Sequence, residues 1–150
     1  MDFASQVRLR LYKLFVASGQ CPLKAELAHE LGCGIEKVTD AFRELAAGHM
    51  LVLQPSGEVL MANPLSAVPT PFLVEAGPGG GKRSFYGNCI WDALGVLAML
   101  QSDGRVLASC GCCGESMTVE VKCGAAKCEP EGTVHFALPA QQWWDDIVFN

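Results

Sequence analysis

The spacing of apolar residues changes along this chain, and that change limits what it can fold into. Early on they recur at intervals of three and four. Val7, Leu11, Leu14 and Phe15 share one face of a helix that Gly19 ends and Pro22 separates from the next. Leu23, Leu27 and Leu31 form the stripe of a short second helix closed by Gly32. Val38, Phe42, Leu45 and Ala46 mark a third, ending near Gly48. Leu51-Val52-Leu53 and Val59-Leu60-Met61 then flank Gln54-Pro55-Ser56-Gly57-Glu58, the pattern of a β-hairpin. Three helices followed by a hairpin predict a winged-helix-like lobe over residues 1–64.

From residue 65 to 150 the pattern predicts a second, α+β unit with a small mixed sheet. Asn63-Pro64, Pro69-Thr70-Pro71 and Gly77-Pro78 break regular structure, with a candidate strand at Phe72-Leu73-Val74-Glu75. The run Gly77 to Lys82 lacks the first glycine of a phosphate loop. Arg83 stands where that loop needs Ser or Thr, so the run is assigned to a flexible hairpin tip. Ser84-Phe85-Tyr86 reads as strand, and Ile90 to Leu100 as an apolar helix ending near Asp103-Gly104. Arg105 to Ser109 is the next strand. Met117, Val119 and Val121 alternate with polar neighbours, as do Val134, Phe136 and Leu138, which predicts two more. Pro139 starts a short helix through Trp143 and Trp144, aromatics expected to anchor it to the core.

Charge narrows the partners. The net charge is −5, which does not invite nucleic acid or anionic lipid. Over residues 1–64 there are six Lys and Arg against seven Asp and Glu, a net of −1. The outward side of the third helix offers Glu36, Lys37, Thr39, Asp40, Arg43 and Glu44, three acids to two bases and a poor surface for phosphate. The lobe is therefore expected to pack or dimerise rather than read DNA. No run of about 18 apolar residues suggests a membrane span, and the first residues lack a secretion signal, so a cytoplasmic location is expected.

Eight cysteines in 150 residues are then expected to be mostly reduced. Thiolates select soft metal ions, so a thiol-rich chain in a reducing compartment points towards soft-metal chemistry. Cys89 falls at the predicted start of the Ile90 helix, where free N–H groups and the macrodipole lower a thiol pKa. Asp92 lies three residues on, on the same face. The same spacing also serves an ordinary capping contact, so spacing alone leaves a structural role open.

Three stretches carry a more specific signal. Tyr86-Gly87-Asn88-Cys89-Ile90-Trp91-Asp92-Ala93-Leu94 comes first. Arg105 to Cys110 and Val134-His135-Phe136-Ala137-Leu138-Pro139 follow. In order and spacing they resemble the catalytic region of the organomercurial (alkylmercury) lyases, over roughly residues 70–150. Members of that family also carry a winged-helix-like lobe. The resemblance implies that Cys89 and Asp92 are catalytic: sulfur binds the mercury of an organomercurial, and the carboxylate carries the thiol's proton to the departing carbon. The products would be a hydrocarbon and Hg(II) held by sulfur, passed to a thiol acceptor or a mercuric reductase, with no separate cofactor required. The family's second catalytic cysteine would fall at about Asn150 or just beyond it. A degenerate or truncated homologue would account for that, as would a gene that continues through a selenocysteine codon. A cysteine-rich protein that holds Hg or Zn without turnover, and a winged-helix metal-responsive regulator, are the alternative functions.

The remaining sulfurs form a second pattern. Cys110-Gly111-Cys112-Cys113-Gly114 has the shape of a zinc knuckle, and Cys123 with Cys128 could complete a four-sulfur site of Cys110, Cys113, Cys123 and Cys128 for Zn or Hg. The interval from Cys113 to Cys123 is short for a zinc ribbon, so free buried or mercury-trapping thiols are the competing expectation. Cys110 resembles a family cysteine that is usually structural, whereas Cys112 and Cys113 are extras. Cys21 and Cys33 are expected in or near the core. His29, His49 and His135 belong to no motif.

Overall fold

A computed structural model describes residues 1–77 and 83–148. Helix α1 (Phe3–Ser18) starts where the Asp2 carboxylate accepts from the Ser5 N–H at 2.7 Å. It ends at Gly19, whose φ of 78° lets its N–H turn back to the Phe15 carbonyl. Its buried face is Ala4, Val7, Leu11 and Phe15. Helix α2 (Lys24–Leu31) buries Leu27 and Ala28, and α3 (Ile35–Ala47) buries Val38, Ala41, Phe42 and Leu45. Leu23 caps α2 from an exposed position instead of joining the stripe. Strands β1 (Val52–Leu53) and β2 (Val59–Ala62) form the expected hairpin, and β3 (Leu65–Ser66) adds a third antiparallel strand. On the exposed side of α3, Arg43 pairs with Asp40 at 2.9 Å, and the Lys37 ammonium sits over the Phe3 ring.

The second sheet has the order β5-β4-β6-β7-β8, made of β4 (Leu73–Ala76), β5 (Arg83–Tyr86), β6 (Gly104–Ser109), β7 (Ser116–Lys122) and β8 (Ala125–Glu129). Every pairing in it is antiparallel, so the mixed sheet expected from sequence is not what forms. The glycine run read as a hairpin tip lies, from Pro78 to Lys82, outside the described residues. Register explains the burial. Phe85, Val74, Val106, Val119 and Cys128 face one another in a row across the five strands. Helix α4 (Ile90–Leu100) lies over β4 and β6 and buries Ala93, Val96 and Leu97. At Gly104 the helix and sheet come so close that a Cβ would sit 2.4 Å from the Glu75 carbonyl and 2.7 Å from Leu97.

The strand expected at Val134, Phe136 and Leu138 is absent, and all three side chains are exposed. The edge of β7 is already filled by β8. The two-residue turn Cys123-Gly124, with φ of 50° and 76°, sets that pairing so that Lys122 faces Ala125. Two successive positive φ angles are what a tight hairpin of this twist requires. Past Pro130 the chain leaves the sheet and forms a 3₁₀ helix at Ala140–Asp145, as expected near Trp143 and Trp144. Those aromatics settle on other aromatics rather than in the core. Trp144 stacks on His49 at 4.2 Å, and Trp143 stacks on Phe136 at 5.4 Å. Among the described residues no helix is long and apolar enough to cross a membrane.

Candidate active site

The site is built where β5 hands over to α4. Gly87 bridges to Leu65, its N–H donates to the Phe72 carbonyl, and its own carbonyl accepts from the Thr70 hydroxyl at 2.6 Å. A side chain there is impossible without rearrangement, because a Cβ would lie 2.5 Å from the Ala93 nitrogen. This glycine presses the strand end against the first turn of the helix and so fixes the two residues that follow.

Cys89 is the N-cap of α4, and its Sγ accepts from the Asp92 N–H at 3.5 Å. Both side chains are half-buried. The Asp92 carboxylate accepts from Asn88 Nδ2 at 3.0 Å. The same Nδ2 donates to Asn63 Oδ1 at 3.0 Å, and the Asn63 carbonyl accepts from the Tyr12 hydroxyl at 2.7 Å. Asn88 Oδ1 is buried and has no hydrogen-bond partner among the described residues. Trp91, exposed beside the pair, meets the edge of Phe136 at 5.7 Å, which brings the C-terminal segment alongside the site.

Burial dominates the electrostatics. It pushes the Cys89 thiol above its ordinary value, against the lowering effect of the Asp92 N–H and with some help from the Asp92 charge. The expectation that the helix N-terminus would depress this thiol is overturned, because the loss of water outweighs the N–H groups. Burial likewise raises the Asp92 carboxyl, partly opposed by the Asn88 hydrogen bond. The site therefore holds two groups that keep their protons more readily than they would in water.

The other sulfurs are distributed differently from expectation. Cys110, Cys112 and Cys113 sit in the β6–β7 turn with their sulfurs all within 4.8 Å of one another. The Cys110 and Cys112 sulfurs share a hydrogen bond across 3.2 Å; with the neighbouring Cys113 it holds the Cys110 thiol down at about 7 and Cys112 up at about 11. The proposed set of Cys110, Cys113, Cys123 and Cys128 does not assemble. Cys123 lies in the turn at the opposite end of β7, about 20 Å of strand away. Cys128 pairs with Val119 in the middle of that strand. Spacing alone grouped Cys123 and Cys128 with Cys110 and Cys113, and the β7–β8 hairpin holds both of them elsewhere. Cys21 and Cys33 pack against the core as expected, and burial pushes Cys21 up to about 12.

Asn88, Asn63, Tyr12 and Gly87 were missed as parts of the site. Gly87 directly before a helix cap carried a readable signal. Asn63 and Tyr12 reach Asp92 only through the fold.

The alkylmercury lyase (MerB) family profile matches residues 65–149, more than half of the chain and all of the Cys89 helix and the cysteine-rich turn. This chain belongs to the alkylmercury lyase family. Among solved structures, this family member is similar to the mercury-bound form of MerB2, with a TM-score of 0.64 and 23% sequence identity. The superposition covers 84% of this chain and 61% of that one, so the chain spans less than two thirds of that protein's length. The likeness establishes a shared fold, including the α+β architecture. No curated protein matches the sequence.

Proposed function

We propose that this lyase-family chain cleaves carbon–mercury bonds by protonolysis, with Cys89 as the mercury ligand and Asp92 as the proton carrier. The observation that carries this reading is the cap of α4. It holds a half-buried thiol and a half-buried carboxylate one turn apart, on a helix that lies within the family segment.

The chemistry follows from two protonated groups in a poorly hydrated place. An organomercurial arrives as a thiol adduct, R–Hg–SR′. Soft sulfur prefers the soft metal, so Cys89 binds mercury and releases its proton. Asp92 receives that proton and delivers it to the carbon as the Hg–C bond breaks. The balance is R–Hg–SR′ plus the Cys89 thiol giving R–H and Cys89–S–Hg–SR′, with no change in oxidation state. Burial serves this sequence: the thiol retains its proton until mercury displaces it, and a carboxyl with a raised pKa takes up a proton that an exposed aspartate would not hold. Asn88 orients the carboxylate, and Trp91 with Phe136 supplies an apolar surface beside the metal for the organic group. A small thiol, or a mercuric reductase, would then collect the metal.

The test is incubation of purified protein with a phenylmercury–thiol adduct and measurement of benzene by gas chromatography. Benzene release is expected from the native chain. It should fall by about 10²-fold or more in Asp92→Ala, the usual range for losing a positioned proton donor, and vanish in Cys89→Ser. Bound mercury without benzene would replace the lyase reading with that of a metal binder. Full activity in either variant would displace the site.

A further inference from the structure

We propose that the β6–β7 turn is a separate soft-metal site, in which Cys110, Cys112 and Cys113 bind Hg(II) as a three-sulfur complex. This goes beyond the lyase reading and does not depend on it, since the three residues sit in the β6–β7 turn and Cys89 caps α4.

The geometry is close to what such an ion needs. Three thiolates about 2.3 Å from a zinc-sized ion place their sulfurs about 4 Å apart, and a larger soft ion sets them somewhat wider. All three sulfurs here lie within 4.8 Å of one another, so small rotations of the side chains would close the set. The turn that carries them is held at both ends. The Cys110 N–H donates to the Glu115 carbonyl at 2.8 Å, the Gly114 N–H donates to the Cys110 carbonyl at 2.9 Å, and Ser109 pairs with Ser116 below. Gly114 takes φ of +73°, the left-handed conformation that lets the chain reverse within this span. The turn also faces open space: a Cβ at Gly111 or Gly114 would meet nothing within 4 Å, and Cys112 and Cys113 are both exposed. Cysteines placed this way contribute nothing to packing.

The donor set decides the metal. It is all sulfur, with no oxygen or imidazole in the group, which excludes hard cations. Structural zinc sites close with four protein ligands, and the two remaining cysteines of this sheet are held elsewhere by β7 and β8. Hg(II) is satisfied by two or three sulfurs. Loading is a thiol exchange without redox: three protein thiols and a mercury bis-thiol adduct give the three-sulfur complex, two free carrier thiols and one proton. An exposed site of this kind can receive the metal from a carrier thiol and surrender it to another.

The experiment uses the full chain carrying Cys89→Ser, kept reduced and free of oxygen, so that the helix-cap sulfur takes no part. It is mixed with one equivalent of Hg(II) in excess glutathione, separated by gel filtration, and assayed for retained mercury and for the ultraviolet sulfur-to-mercury charge-transfer band. About one mercury per chain is expected, with the absorption of three-sulfur coordination. Adding Cys112→Ser and Cys113→Ser together should lower retention at least tenfold and remove that absorption, whereas Cys123→Ser should leave both unchanged. Retention that persists in the double turn variant, or that is lost with Cys123→Ser, overturns the site, as does the absence of retained mercury. Benzene release is a separate measurement, so either idea can fail alone.

Discussion

Asp92 shows at the scale of one residue how a proposed catalytic group can work against the fold. Its carboxyl titrates above the ordinary value of 3.8 because it is half-buried. At low pH the group is protonated in folded and unfolded chains alike and has no effect on the balance. As pH rises past 3.8 the unfolded chain ionises first, so the folded state loses stability, and the loss is complete once pH passes the folded value. Asp92→Asn should therefore raise the melting temperature at pH 7, with the gain shrinking as pH falls towards 3, while benzene release collapses. Thermal melts across that range decide it, and a variant less stable than the native chain at neutral pH would mean that Asp92 is chiefly structural. The residues around it were unequally legible. Cys89 and Asp92 could be named from their spacing and from the family resemblance. Asn88 could not, because its two hydrogen bonds run to Asn63 and Asp92 along directions that only the folded backbone defines.

Among the elements, helices were easier to read than strands. Ile90 to Leu100 was expected and is formed, since an apolar helix bounded by a capping residue is written in local sequence. The strand at Val134 to Leu138 was expected and is absent, since alternation shows only that a segment could pair. Whether it does depends on which edge is free, and the Cys123-Gly124 turn gives that edge to β8. This turn carries a measurable strain. Cys123 has a Cβ and holds φ of 50°, a conformation that Asn tolerates better. Cys123→Asn should stabilise the protein by about 0.5–1 kcal/mol, a part of the roughly 1–2 kcal/mol left-handed penalty for an ordinary side chain. Urea unfolding followed by circular dichroism measures this, and a destabilised variant would show that the thiol makes a contact worth more than the strain.

For the molecule as a whole, the sequence drew a boundary at residue 64, and the packing runs across it. Strand β3 lies just beyond that point and pairs with β2, Leu65 bridges to Gly87, and Tyr12 on α1 holds Asn63, whose side chain accepts from Asn88. One contiguous cluster of buried side chains extends from Ala4 on α1 to Val119 on β7. We therefore propose that the three-helix lobe and the sheet unfold together. Calorimetry should show one transition with matching calorimetric and van't Hoff enthalpies, and two resolved transitions would establish independent lobes.

What the sequence determined by itself was local. Helix faces, caps and the Cys89–Asp92 spacing depend on residues a few positions apart, which the period of apolar side chains reports directly. The tertiary structure decided everything that required distant segments to meet. It chose β8 over the Val134 segment as the last strand and gave Cys110 and Cys113 the neighbour Cys112 in place of Cys123 and Cys128. It also reversed the direction in which the Cys89 thiol is shifted. Burial is a sum over the whole fold, and here it exceeds the pull of a few N–H groups at a helix end.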